Sequence, residues 1–460
     1  MSHAGSYDEI GHRRRGVLIN DVSRAYFNAR VTRDIYVELP DEDPEAGSGK
    51  FGKLNVCLYG TRDAALNWQL TLSSHLKKLG FKVGRAFPSV FSHPTRGIKT
   101  LVHGDDYVSS GPTDELKWLD EELRKEYEIK SQFLGEKEEH EGKVLNRVLR
   151  YTEDGWELEA DPRHAELVIE QLGLKGSRGV STPGIDMKDE DLDEANEENL
   201  EAEKKSSYRG IAARLNYLSF DRPDIQFSVK EACREMSDPT RKSWSRLMRI
   251  GKYLLSRPRL VWHYPWQLTQ RTLDIFSDAN WAGCKRTRKS TSGGSIMLGA
   301  HCLKAWSKTQ AVLAKSSAES ELYGAVKAAC EALGVQSLGE DFGDSSLVRV
   351  HLDASAAMGI IERRGLARVR HIDTDVLWLQ EAEARRMLPI QKIKGTFNQA
   401  DLGTKNLPTE QVEGHLRSMG LEFKEGRAQS AAQLHAVRKK ERRVDSCDSR
   451  GPWEMGEKPW

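Results

Sequence analysis

The sequence predicts an α+β region, then a helical connection, then a compact α/β domain. Three observations carry that division. Residues 17–111 mix short strands, turns and one long helix without regular alternation; an acidic stretch separates them from two amphipathic helices; and from about residue 272 three strands in a row give way to alternating helix and strand. A chain of 460 residues is long enough for two or three cores.

In the first region, "VLINDVSRAYFNARVTRDIYVEL" reads as a strand into Asp21, a short helix, and a second strand stopped by Pro40. "DAALNWQLTLSSHLKKL" places Leu66, Leu70, Leu72, Leu76 and Leu79 mostly on one side of a helix closed by Gly80. "SVFSHPTRGIKTLVHGDDYVSSG" supplies further strands, with turns at "PTRG" and "GDD". Asp186 to Glu203 carries ten acids against one lysine, a solvated linker. Beyond it, "RPDIQFSVKEACREM" and "SWSRLMRIGKYLLSRP" are helices, the second with a basic face opposite Leu247, Tyr253 and Leu254.

The last domain runs through strands "TLDIFSDANWAG", "GGSIMLG" and "CLKAWS", helix "SAESELYGAVKAACEAL", strand "LVRVHLDA", helices "SAAMGIIERRG" and "DTDVLWLQEAEARR", strand "PIQKIKG" and then "NQADLGTKNL". The expected boundaries are 1–180, an acidic linker 181–206, a basic helical connection 207–270, the α/β domain 271–422 and a basic, disordered tail 423–460.

Composition narrows the function. The net charge is only +1, yet Arg241–Arg271 holds eight Lys or Arg and no acid, and Lys285–Lys315 is a second acid-free basic run. Two such stretches suit a protein that tracks a polyphosphate backbone. No segment approaches the apolar length of a membrane span, and no secretory signal is visible. The six cysteines lack zinc spacing and read as reduced thiols, which points to a cytoplasmic or nuclear protein.

Carboxylates carry the chemistry. Asp278 lies inside a strand, Glu321 in the first turns of a helix, Asp353 at a strand's end and Asp401 near the start of the final helix. Acids so placed can converge, and convergent acids need a divalent cation to offset their repulsion. Glu319 competes with Glu321 for the helical position. In the first region Asp105 and Asp106 stand side by side between a glycine and a run of β-formers, which is a solvated turn or a second metal site.

The motifs "FSDANWAGCKRTRKSTSGG", "KSSAESELYGAVKAACEAL", "VHLDASAAMGI", "RHIDTDVLWLQE" and "QADLGTK" resemble, in order and interval, the ribonuclease H domain of Copia-type retrotransposon Pol polyproteins. "INDVSRAYFNARVTRDIYVELP", "VCLYGTRDAALNWQLTLSSHLKKLGF" and "LVHGDDYVSSG" resemble the palm of the same family's reverse transcriptase, and "YRGIAARLNYLSFDRPDIQFSV" its connecting region. The fold class implied is an α+β partial reverse-transcriptase palm with a helical connection, followed by an α/β ribonuclease H-like domain.

The resemblance implies Mg²⁺ in two-metal sites, held by Asp278, Glu321, Asp353 and Asp401 in one domain and by Asp21, Asp105 and Asp106 in the other. It implies RNA/DNA hybrid, RNA template and DNA primer as partners, and a cytoplasmic, virus-like-particle setting. Arg246, Arg249, Lys252, Lys285, Arg288 and Lys289 are the expected phosphate contacts, and His371 matches a characteristic "HID" of open role. Two departures stand out. The family has Tyr-Val before the paired aspartates where this chain has His103 and Gly104, a glycine expected to loosen the pair; and the family's upstream fingers region is not found ahead of Asp21. The expected activity is therefore hydrolysis of RNA in hybrids with an incomplete, ancestral polymerase. The alternative is a non-catalytic, degenerate or domesticated nucleic-acid-binding remnant.

Overall fold

A computed structural model describes residues 15–186, 198–365 and 377–434. His371 and most of the acidic run lie outside them. In chain order the first region contains β1 (Gly16–Val22), β2 (Tyr36–Glu38), β3 (Phe51–Lys53), α1 (Ala64–Lys78), β4 (Lys82–Val83), β5 (Val90–His93), β6 (Ile98–His103), β7 (Asp106–Gly111), α2 (Thr113–Glu126) and β8 (Ile129–Leu134). Its main sheet has the order β4-β5-β6-β7-β1-β8, with β1 between β7 and the edge strand β8 and antiparallel to both.

Strand alternation splits β1 between two cores. Leu18 and Val22 face the helices with Trp68, Leu72, Leu76, Tyr107, Leu116 and Leu119. Val17 and Ile19 face the opposite core with Leu134 and Trp156. The expected stripe on α1 needs correction. Leu66 and Leu70 are exposed, and the buried side is Ala64, Asn67, Trp68, Leu72 and Leu76, because the large indole sets which face turns inward.

Next come β9 (Glu141–Val144), β10 (Arg147–Thr152), β11 (Gly155–Glu159), α3 (Pro162–Gln171), α4 (Ala202–Ser219), α5 (Pro223–Cys233), α6 (Arg241–Ser256) and β12 (Arg259–Pro265). The helices share a core of Val168, Tyr208, Ile211, Leu215, Ile225, Val229, Leu247, Ile250, Tyr253 and Leu254. Their starts are chemically marked. Asp161 accepts from the Arg163 N–H, Pro223 stands in the first turn of α5, and Thr240 and Ser243 form a reciprocal cap on α6. Buried Arg222 pairs with Asp224 at 2.7 Å and donates to the Arg257 carbonyl, tying the start of α5 to the end of α6.

The last region contains β13 (Thr272–Asn280), β14 (Thr291–Leu298), β15 (His301–Thr309), α7 (Ser317–Asp341), β16 (Leu347–Leu352), α8 (Ser355–Ile361), α9 (Trp378–Ala384), β17 (Ile390–Lys392), α10 (Thr409–Ser418) and β18 (Leu421–Lys424). Its sheet runs β15-β14-β13-β16-β17, antiparallel through β13 to β15 and parallel from β13 to β17. This is the ribonuclease H-like arrangement the sequence predicts. Helix α7 covers one face through Leu322, Ala325, Ala328, Ala329 and Ala332. It runs past Gly334, where the sequence suggested an end, and stops at Gly343, whose φ of +86° suits a helix terminus.

Two expected boundaries move. Helix α4 begins at Ala202, inside the stretch read as linker. Strand β18 straddles residue 422 and pairs with β12, completing a sheet of order β18-β12-β11-β10-β9. Residues 423–434 are therefore ordered, not tail, and Ala428 and Ala431 bury against Val148. Strands from three sequence-defined regions build this one sheet, which the sequence does not announce.

The first and last regions also touch directly. At the end of α7 the Asp341 carboxylate accepts from the backbone N–H groups of Arg85, Ala86 and Phe87 at 2.7–3.3 Å, and Lys99 pairs with Asp344 at 2.6 Å. Gly84 is required there, since a Cβ would lie 2.5 Å from the Phe87 carbonyl oxygen and 2.6 Å from Asp341 Oδ2.

Candidate metal centre and nucleic-acid interface

Asp278, Glu321 and Asp353 come from β13, α7 and the residue just past β16, and ligand atoms of all three lie within 4.8 Å of one another. Among the described residues this is the cluster whose spacing suits a metal ion. Helix α7 aims Glu321 by way of its own N-terminus. Ser316 accepts from the Glu319 N–H, and Glu319 Oε2 accepts in return from the Lys315 N–H, so Glu319 is spent on the cap while Glu321 turns toward the cluster.

Asp401 joins from another element than expected. It lies in a 3-10 turn, Gln399–Gly403, ahead of α10 rather than at its start. Asn398 fixes that turn by donating to the Ser277 carbonyl at 2.9 Å and accepting from the Ala400 N–H. Glycines make the approach possible. A Cβ on Gly293 would meet the Ala400 carbonyl at 2.6 Å, and one on Gly403 would meet the Trp306 carbonyl at 2.5 Å.

The electrostatics follow from burial and crowding. Burial, then Asp401, pushes Asp278 up to about 6, and burial, then Asp278 and Asp353, pushes Glu321 up to about 9. Burial also raises Asp353 and Asp401. Glu321 Oε2 is buried without a hydrogen-bond partner. A hard cation with oxygen preference is what such an acceptor-only cluster suits, so the residues present fit Mg²⁺. Sequence reading passed over two neighbours. The Thr404 hydroxyl donates to Asp278 Oδ2, and Lys405 Nζ lies 2.8 Å from Asp401. The i, i+4 spacing of Asp401 and Lys405 was the available signal.

In the first region Asp21 and Asp106 are direct cross-strand partners on β1 and β7, so their side chains share one face. Burial, then Asp105 and Asp21, raises the Asp106 carboxyl. Asp21 and Asp105 are exposed. Gly104 does not slacken the turn. Its φ of +67° is what the first central position of a two-residue hairpin requires, its carbonyl accepts from Trp68 Nε1 at 2.9 Å, and the Asp105 carbonyl accepts from the Val22 N–H at 3.0 Å.

The basic residues divide. On α6, Arg246 pairs with Glu235 and Arg249 donates to Thr182 Oγ1 at 2.8 Å, while Lys252 is half-buried where Val180 crosses the helix. Lys285 and Arg288 are exposed and Lys289 half-buried in the loop between β13 and β14, the loop that follows Asp278.

Residues 12–186 match the family described as reverse transcriptase (RNA-dependent DNA polymerase). The chain is 25% identical over 416 residues to the retrovirus-related Pol polyprotein from transposon RE2 of Arabidopsis thaliana, covering 87% of this chain and 27% of that protein. It is 24% identical over 403 residues to that from transposon TNT 1-94 of Nicotiana tabacum, covering 85% and 30%. A third, from transposon RE1 of Arabidopsis thaliana, is 28% identical over 336 residues, covering 70% and 22%. The chain thus spans less than a third of the length of these relatives. Among solved structures it is similar to the foamy viral protease-reverse transcriptase in complex with RNA/DNA hybrid, with a TM-score of 0.48 and 12% identity over 86% of this chain and 45% of that one. No helix among the described residues is long and apolar enough to cross a membrane. The similarity of the chain is thus to retrovirus-related Pol polyproteins of transposons, with the match to the reverse transcriptase family confined to residues 12–186.

Proposed function

We propose that the chain is a Mg²⁺-dependent ribonuclease that cleaves the RNA strand of RNA/DNA hybrids. The observation that carries this is the gathering of Asp278, Glu321 and Asp353 within 4.8 Å, with Asp401 against Asp278 and a partnerless Glu321 oxygen inside. When bound, a pair of Mg²⁺ ions supplies an activated water and stabilises the leaving oxygen in phosphodiester hydrolysis. The chain's own part is positional. Strand β13, helix α7, the end of β16 and the Asn398-anchored turn hold four carboxylates from separate elements, and the Thr404 hydroxyl orients Asp278. The loop carrying Lys285, Arg288 and Lys289 would receive backbone phosphates of the duplex.

A second activity, RNA-templated DNA synthesis, is favoured by one feature: Asp21 and Asp106 oppose each other across β1 and β7 beside a braced Gly104-Asp105 turn. Primer extension on an RNA template that disappears in Asp106→Asn tests it. The hydrolase reading is tested by incubating a labelled hybrid with the purified chain and Mg²⁺. Cleavage lost in Asp353→Asn and in EDTA supports it, and cleavage that survives either one refutes it.

A further inference from the structure

The carboxylate cluster contains a cation of its own that hydrolysis as proposed does not use. Lys405 Nζ lies 2.8 Å from Asp401 Oδ1 and 4.0 Å from Asp278 Oδ2. The Lys405 N–H donates to the Asp401 carbonyl, and the preceding Thr404 donates its hydroxyl to Asp278. Two consecutive residues thus address the two carboxylates that Glu321 and Asp353 do not complete between them. Asp278 is shared, being both a member of the close triad and the farther contact of Lys405. A divalent ion taken up between Asp278 and Asp401 would have to lie within a few Å of the ammonium group, and like charges at that separation repel. The Lys405 side chain is 45% exposed on a flexible four-carbon stem, so a path to solvent is open to it.

We propose that Lys405 is a positioning residue that serves as a resident monovalent cation. It holds Asp401 and Asp278 together before a divalent ion arrives, withdraws from Asp401 when one binds there, and so sets how tightly that side of the site takes a metal. This rests on the reading of the cluster as a Mg²⁺ site.

The test is Mg²⁺ binding to the full chain without nucleic acid, measured by calorimetry and by melting temperature, for wild type, Lys405→Met and Lys405→Arg. Lys405→Met is expected to melt lower than wild type in EDTA, since four acids lose their nearest cation. It is also expected to bind Mg²⁺ on the order of tenfold more tightly, as removal of a partly screened unit charge a few Å away allows. Lys405→Arg should restore both properties. Should Lys405→Met not fold, Lys405→Gln carries the same comparison. Equal Mg²⁺ affinity in wild type and variant overturns the proposal. So does unchanged Mg²⁺ affinity with weakened binding of an RNA/DNA hybrid, which would place Lys405 on substrate phosphate. A wild type that neither binds Mg²⁺ nor shifts its melting temperature with it overturns the reading of the cluster itself.

Discussion

Replacing Glu321 by Gln should change how stability depends on pH. The Glu321 side chain is buried among Asp278 and Asp353, and its carboxyl is pushed up to about 9 from an ordinary 4.5. In the absence of metal the folded chain therefore keeps a proton that the unfolded chain releases near pH 4.5. The sign follows: stability is fullest below about pH 4.5 and is lost as pH rises toward 9, because there the folded state binds more protons than the unfolded one. One such proton is worth about 1.4 kcal/mol per pH unit, so the Glu321 titration by itself should take about 4 kcal/mol from wild type in EDTA between about pH 5 and pH 8. Glu321→Gln keeps the shape, removes the titration and should flatten the profile by that amount, leaving the variant the more stable of the two near pH 8. Added Mg²⁺ should restore wild type at the alkaline end and shift the variant, which keeps Asp278, Asp353 and Asp401, less. Urea unfolding followed by tryptophan fluorescence reads this directly. Parallel pH profiles in EDTA for wild type and variant would refute the placement of Glu321.

Other consequences are as concrete. Gly293→Ala should cost about 1–3 kcal/mol, because its methyl would meet the Ala400 carbonyl at 2.6 Å and must displace the Asp401 turn; a melting temperature equal to wild type would contradict that packing. Exchanging Lys285, Arg288 and Lys289 for Gln should reduce the salt dependence of hybrid binding by about 3 in log–log slope. Arg246→Gln should leave that slope alone and lower the melting temperature, since its partner is Glu235. Asp341→Ala should speed hydrogen exchange at Arg85, Ala86 and Phe87, whose N–H groups it accepts from, without altering exchange on β13.

The order of elements was legible because it rests on local signals: turn glycines, caps, and the 3.6 and 2.0 residue periods. β13 to β16 and α5 and α6 fall where those signals put them. The misreadings are tertiary in cause. Leu66 and Leu70 have the right spacing for a core face, yet Trp68 decides which side of α1 turns inward. Nothing local in β9–β12 shows that residues 421–424 return to pair with β12. At the site, the four acids were visible as residue types within or at the ends of strands and helices, but Thr404 and Lys405 gain meaning only when the Asn398 turn folds against β13 and β14. For Gly104, sequence suggested slack; the hairpin geometry instead makes glycine the residue that fits.

On the proposed function, the Asp278, Glu321, Asp353 and Asp401 cluster is a hydrolytic Mg²⁺ site for RNA/DNA hybrids. Its most direct measurement is gel analysis of a hybrid labelled on the RNA strand, incubated with the chain in Mg²⁺, beside Asp278→Asn and an EDTA control. RNA fragments are expected with wild type and Mg²⁺ alone, and an intact DNA strand throughout. Intact RNA with folded wild-type protein that binds the hybrid would contradict it and favour the non-catalytic remnant.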